Sequence, residues 1–322
     1  MASNQKDFLI DSLKCISQTE EETSTDRRDK HNPPGLSGTQ TIRALQNLCG
    51  LFREDPNVCY LEIGVFQGSS LLSVASAHPK IPCYGIDNFS ILDPENQNYE
   101  ILTDRIKNSG LSNITVINED FEKTLLTLRQ HISDLSIGLL FVDGAHDYRS
   151  QLLALLNSRQ YLHINSIIVI DDANYEFVRQ STVDFLLACP EFALIYEAYT
   201  PAHPANLEPK ILKSHERGWL NGVNIIAHDP MNLFERIVPP TNPDRTLYVN
   251  DWLIHRHKLA MLAPEALDYV YDIFHNKGLN KTELESILLE KQNNLIDPPT
   301  KLFVDRNTYS SNLTSGRYNK FV

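Results

Sequence analysis

Three features of the sequence predict an α/β fold, a Rossmann-like, seven-stranded and mostly parallel sheet with helices on both faces. Seven short apolar runs alternate with helical stretches between residues 58 and 228. The central runs, GLLFV and IIVI, are continuously apolar, as strands covered on both faces are. Acidic residues follow the ends of several runs, at the sheet edge where ligands bind in open α/β folds.

In chain order, Phe8, Leu9, Leu13 and Ile16 predict a helix over 6–17, and the polar stretch after it, broken by Pro33, Pro34 and Gly35, reads as an arm or lid. Ile42, Leu45, Leu48 and Leu51 predict a helix over 39–52. Strands are expected at 58–64, 82–87, 113–119, 137–143, 166–172, 192–199 and 222–228, with helices at 69–77, 98–109, 121–132, 148–159 and 175–188. Beyond Asp229 the pattern becomes helical again: Leu267, Val270, Tyr271 and Phe274 form one stripe, and Thr282 with Glu285 reads as a capping box. In the polar tail, Leu302, Phe303, Tyr318 and Phe321 are available for docking. The expected organisation is an amino-terminal helix and arm (1–36), a core (37–229), and a helical appendage with tail (230–322).

The 322 residues carry a formal net charge of −12, which argues against nucleic acid or an anionic membrane as the main partner and favours a small molecule. No run approaches the length of a membrane span, and the start lacks a basic segment followed by a long apolar one, so a cytoplasmic protein is expected. Five cysteines without CxxC spacing, mostly in apolar contexts, read as buried free thiols.

The chemistry-bearing segments lie at strand ends. Asp143 in FVDGAHDY and the pair Asp171 and Asp172 in SIIVIDDAN each end an apolar run, and the 28 positions between Asp143 and Asp171 fit a strand, a helix and the next parallel strand. Crowded carboxylates raise one another's pKa and either share a proton or hold a hard cation such as Mg²⁺; the plainer reading is a helix cap and a solvated loop pair. The first strand runs into Glu62, Gly64, Phe66, Gly68, Ser69 and Ser70. Phe66 stands where a dinucleotide fingerprint needs its second glycine, which disfavours a diphosphate and an NAD-dependent oxidoreductase.

A ligand with an amino group, a carboxylate and a nucleoside fits this segment better. Glu62 attracts the cationic end, while Ser69, Ser70 and the helix N–H groups take the carboxylate. Asp87 suits a ribose diol; Asp120 and Phe121 suit the adenine amino group and ring. These needs describe S-adenosylmethionine. For Asp87 or Asp120 singly a helix cap is the competing reading, and for Gly64 and Gly68 a plain turn.

Through LEIGVFQGSS, YGID, NEDF, FVDGAHDY and VIDDAN, residues 37–228 resemble the class I S-adenosylmethionine-dependent methyltransferases. FVDGAHDY and the later DD resemble the metal-dependent O-methyltransferases of the catechol and the macrocin or antibiotic-sugar type. That resemblance implies Mg²⁺, or another divalent cation, held by Asp143, Asp171 and Asp172, with Asp143 also beside the cofactor and a hydroxyl of a sugar or natural product as acceptor. It implies a base near His146, where catechol-type relatives carry lysine; Asp143 is the rival base, and pairing with Asp147 or the Tyr148 region is the structural reading of His146. Many relatives carry two glycines just before the fifth strand, whereas this chain departs from that pattern with Asn165 and Ser166. Metal-independent N- or O-methyl transfer and a non-catalytic nucleoside-binding protein are the alternatives. Enzymes of the kind it resembles are often dimers or larger, and the helical appendage offers apolar surface for a homo-oligomer such as a dimer, but the sequence does not decide the oligomeric state. Tyr175, His203 and Trp219 are candidates for an acceptor pocket, and His255 and His257 read as exposed basic residues.

Overall fold

The computed structural model describes residues 2–21, 35–90, 92–93, 95–200, 218–241 and 316–322 together with Ser286. Eight strands form one sheet: β1 (Val58–Ile63), β2 (Cys83–Asp87), β3 (Ile114–Asn118), β4 (Ser136–Val142), β5 (Leu162–Asp171), β6 (Phe192–Ala198), β7 (Val223–His228) and β8 (Arg317–Tyr318). Their order is β3-β2-β1-β4-β5-β7-β6-β8. Strands β1 to β5 pair in parallel, while β7 lies antiparallel between β5 and β6. The direction of winding reverses between β1 and β4, so their carboxyl ends adjoin at the point where such sheets bind ligands.

Eight helices accompany the sheet among the described residues: α1 (Ala2–Glu21), α2 (Thr39–Cys49), α3 (Ser69–Ala77), α4 (Asn98–Ser109), α5 (Phe121–Leu126), α6 (Arg129–Ile132), α7 (Tyr148–Ser158) and α8 (Glu176–Ala188). Successive side chains of a strand point to opposite faces, so a strand covered on both sides must be apolar throughout. Leu139 and Phe141 of β4 join the core under α1, α2 and α3, whereas Leu140 and Val142 join the core under α5, α7 and α8. Ile167 and Val169 against Ile168 and Ile170 repeat this division along β5. Each such buried side chain contributes about 1.5–3 kcal/mol, which is why the continuous apolar runs mark the centre of the sheet.

Several boundaries differ from the sequence expectation. Helix α1 extends well beyond 6–17, and Leu9 and Ile16 are fully buried in the first core. The helix expected over 39–52 ends at Cys49 and closes with a 3₁₀ turn over Gly50–Phe52. The helix expected over 121–132 is two helices, because the backbone leaves the helical region at Thr127 while Leu125, Leu128 and Ile132 all turn into the second core. Strand β5 starts at Leu162 rather than 166: Ile137 pairs with Leu162 and Leu139 with Ile167, so residues 163–166 bulge out of the ladder. Asn165 and Ser166 lie in that bulge and not in a turn before the strand.

The sheet has eight strands where seven were expected, because Arg317 and Tyr318 add an antiparallel edge to β6. Phe321 bridges to Phe234, and the hydroxyls of Tyr196 and Tyr318 both donate to the Glu20 carboxylate of α1. The arm over 22–34, the helical patterns at 264–274 and 282–285, and Leu302 and Phe303 lie outside the described residues. All five cysteines are free thiols. No helix of the described residues is long and apolar enough to cross a membrane.

Candidate functional site

The ends of β1 and β4 touch. Gly64 has φ +88°, its N–H donates to the Ile86 carbonyl, and a Cβ there would lie 2.0 Å from the Asp143 carbonyl oxygen. The turn that follows is held by Asp87, whose carboxylate accepts from the backbone N–H of Val65 (2.8 Å), Phe66 (2.9 Å) and Phe89 (2.7 Å). Phe66 and Gly68 both have positive φ in this turn. Asp87 therefore shapes the loop through three N–H groups, a use that the ribose-diol reading did not include.

Glu62 is fully buried at the end of β1, accepting from Tyr60 Oη and Ser70 Oγ, each at 2.6 Å. Burial pushes its carboxyl up to about 8; those two hydrogen bonds pull the other way and lose. The Ser70 hydroxyl is thus directed at Glu62, while Ser69 opens α3. Asp120 is the N-cap of α5, accepting from Glu122 N–H at 2.9 Å, and Phe121 is half-buried against the second core.

The second half of the site lies beyond β4 and β5. Asp143, His146 and Asp172 each bring a ligand atom to within 4.8 Å of the others. His146 Nε2 lies 2.7 Å from Asp172 Oδ2, and the imidazole stacks on Tyr175 with ring centres 5.6 Å apart. Its hydrogen bond thus runs to Asp172, while Asp147 caps α7 by accepting from Ser150 N–H. In an unbroken strand Asp171 and Asp172 would point to opposite faces. Asp172 instead has φ +57°, a conformation that Asp tolerates better than most residues. Both carboxylates consequently act on His146 and on one another.

Two loops zip together behind this kink. Ala173 N–H donates to Gly222 O and Asn174 N–H to Asn221 O, continuing the β5–β7 ladder past the displaced Asp172. The Arg179 guanidinium donates to the carbonyls of Ala173 (2.9 Å), Asn174 (2.5 Å) and Pro240 (2.7 Å). Asn221 Nδ2 donates to Asp172 Oδ1 at 2.5 Å, and Ser37 Oγ donates to Asp143 Oδ2 at 3.4 Å. Sequence reading missed Ser37 and Asn221. The Asn221-Gly222 dipeptide is a turn signal, but the expected strand began at 222 and drew attention past it.

The residues present fit a divalent cation. Burial first, then the charge of Asp172, holds the Asp143 carboxyl well above its ordinary range; burial, then Asp143, does the same to Asp171. Asp171 Oδ1 and His146 Nδ1 are buried without a hydrogen-bond partner. A cation among these oxygens would relieve both the repulsion and the unpaired acceptor. Asp143 and Asp172 belong to the tight group together with His146; Asp171, expected as the third carboxylate ligand, is not in it, although its Oδ1 is buried without a partner and the charges of Asp143 and Asp172 act on it. For His146, burial lowers the pKa but the neighbouring Asp172, Asp171 and Asp147 charges outweigh it, leaving it raised.

Trp219 is buried against Tyr196, with ring centres 5.3 Å apart, and belongs to the core; His203, His255 and His257 lie outside the described residues. A groove of about 640 Å³ near Arg159, His163, Phe192 and His228 is at the other edge of the sheet, where β5 and β6 begin. It lies far from this chemistry, and its Arg159 is already paired with Glu191 at 2.5 Å.

Residues 61–173, from the Glu62 turn through the acidic pair, match a family model described as a methyltransferase domain. Over these residues the chain is similar to a methyltransferase domain. No curated protein matches the chain in sequence. Among solved structures it is similar to an O-methyltransferase from Bacillus cereus in complex with SAH (12% identity, 69% of this chain and 91% of that one, TM-score 0.44). It is also similar to TomG from Streptomyces achromogenes, an O-methyltransferase involved in tomaymycin synthesis in complex with SAM (16%, 68% and 89%, 0.43). A third is the SAH-bound methyltransferase PaMTH1 of Podospora anserina (15%, 67% and 86%, 0.40).

Proposed function

We propose that this protein is a class I, S-adenosylmethionine-dependent methyltransferase that methylates a hydroxyl of a small-molecule acceptor, a sugar or another natural-product scaffold, with the assistance of Mg²⁺ or another divalent cation. The convergence of Asp143, His146 and Asp172 within 4.8 Å, beside the Glu62 turn, carries this reading. When bound, S-adenosylmethionine supplies an electrophilic methyl group and the cation polarises a hydroxyl. The chain's own residues hold, orient and take a proton.

Glu62 meets the cationic end of the cofactor, and Ser69 with the first N–H groups of α3 meets its carboxylate. Gly64 and Gly68 let the backbone approach, Asp120 and Phe121 offer contacts to adenine, and Asp87 supports the loop from behind. Asp143, Asp171 and Asp172 hold the cation. His146 is the base: its Nε2 is engaged by Asp172, so the unpartnered Nδ1 accepts the acceptor's proton while Asp172 stabilises the imidazolium.

A second reading is supported by the same 2.7 Å pair, since an Asp–His couple needs no cation to act as a base in metal-independent N- or O-transfer. Chelation separates the two. Protein stripped with EDTA is assayed for S-adenosylhomocysteine formation against a panel of sugars and catechols, and a fall of about 100-fold, restored by Mg²⁺ or Mn²⁺, is expected. Full activity after stripping would select the metal-independent reading, and tight nucleoside binding without turnover on any acceptor would favour a binding protein.

A further inference from the structure

Asn221 occupies a turn to which the proposed mechanism assigns no role. Gly222 N–H donates to Trp219 O at 2.7 Å, and Asn221, at the third position, has φ +58°. Asparagine and glycine are the residues such a position favours, so the turn accounts for the backbone. It does not account for the side chain. Asn221 is 3% exposed, and its Nδ2 reaches Asp172 Oδ1 at 2.5 Å. A carboxylate only accepts hydrogen bonds, so the amide nitrogen must be the atom facing Asp172, which turns Oδ1 away. That oxygen is buried without a partner, an unfavourable arrangement that a glycine in the same turn would avoid.

The placement is rigid. The backbone bonds from Ala173 and Asn174 lock the two loops together, and a Cβ on Gly222 would lie 2.6 Å from Asn174 Oδ1. Asn174 is itself held by Thr200, to which its Nδ2 donates at Oγ1 (2.8 Å) and at the carbonyl (3.0 Å). Asp172 is thereby gripped from two sides, at Oδ1 by Asn221 and at Oδ2 by His146.

We propose that Asn221 is a positioning residue of the acidic centre: by taking Oδ1 of Asp172 it turns Oδ2 toward His146 and the cation. The inference rests on the cation-assisted reading. The test uses Asn221→Gly in the full-length protein, because glycine adopts φ +58° without strain and removes only the side chain. By calorimetry, Mn²⁺ affinity should fall about tenfold, with a matching fall in kcat, as for other residues that orient metal ligands. S-adenosylhomocysteine affinity, KM for S-adenosylmethionine and the melting temperature of the cation-free protein should stay as in the wild type. Unchanged Mn²⁺ affinity would reduce Asn221 to a turn residue, and parallel loss of S-adenosylhomocysteine binding would show that it acts through the fold. A wild type that binds no Mn²⁺ at all would remove the cation reading, and this role with it.

Discussion

Full burial pushes the Glu62 carboxyl up to about 8, with a smaller contribution from Asp87, from an ordinary value of 4.5. A raised folded-state pKa contributes stability at low pH that is lost as pH rises, so the ligand-free protein loses this contribution between about 4.5 and 8. A cationic ligand beside Glu62 favours the charged form, so S-adenosylmethionine binding near pH 7 should release a proton. Calorimetry in two buffers of different ionisation enthalpy reads this directly, and Glu62→Gln should abolish the release. His146 is raised in the ligand-free protein by its three aspartate neighbours despite burial, so without added cation the acidic limb of the rate profile should lie above the ordinary histidine value. His146→Ala should lower the rate at neutral pH by about 100-fold, with partial recovery at higher pH; an unchanged rate would assign the ring to structure. Asp171→Ala should weaken Mg²⁺ binding and turnover far more than S-adenosylmethionine binding, and equal losses would count against its place on the acceptor side.

Among the elements, the two strand ends that build the site depend on local backbone that few residues can adopt. Gly64→Ala meets both strain at φ +88° and backbone atoms of Asp143 and Gly144 closer than 3 Å, neither of which can yield without parting β1 from β4. Gly110→Ala, at φ +70° with nothing within 4 Å, meets the strain alone. Denaturant unfolding should therefore show a loss of about 1 kcal/mol for Gly110→Ala and at least about 2 kcal/mol more for Gly64→Ala. Helices α3 and α4 begin and end where periodicity places them, because their apolar spacing and glycine boundaries are local signals. The early start of β5 and the break at Thr127 were not legible, since a bulge and a split helix are decided by what the neighbouring strand and core require. The kink at Asp172 is of the same kind: the DD dipeptide announced two carboxylates, but not the left-handed residue at Asp172, which joins Asp143 and His146 while Asp171 does not.

At the scale of the whole molecule, the two ends of the chain meet on the same edge of the sheet. Glu20 accepts from Tyr196 and Tyr318, and Arg317 lies 2.5 Å from the buried carboxylate of Glu197. Removing residues 316–322 should lower the melting temperature by more than Arg317→Ala alone, because it also strips Phe321 from Phe234 and Tyr318 from Tyr196. Arg317 is partly exposed, so the single substitution should cost only about 1 kcal/mol. By itself the sequence determined the layered α/β sheet, its central strands and the acidic residues at their ends, because alternation, apolar runs and strand-end chemistry are written in neighbouring residues. Only the tertiary structure decided which partner each acid has: Asp87 in a loop, Asp120 on a helix, Asp172 between His146 and Asn221. Those pairings join residues as far apart as the 49 positions between Asp172 and Asn221, or the 298 between Glu20 and Tyr318, and their geometry follows from packing that no local pattern encodes.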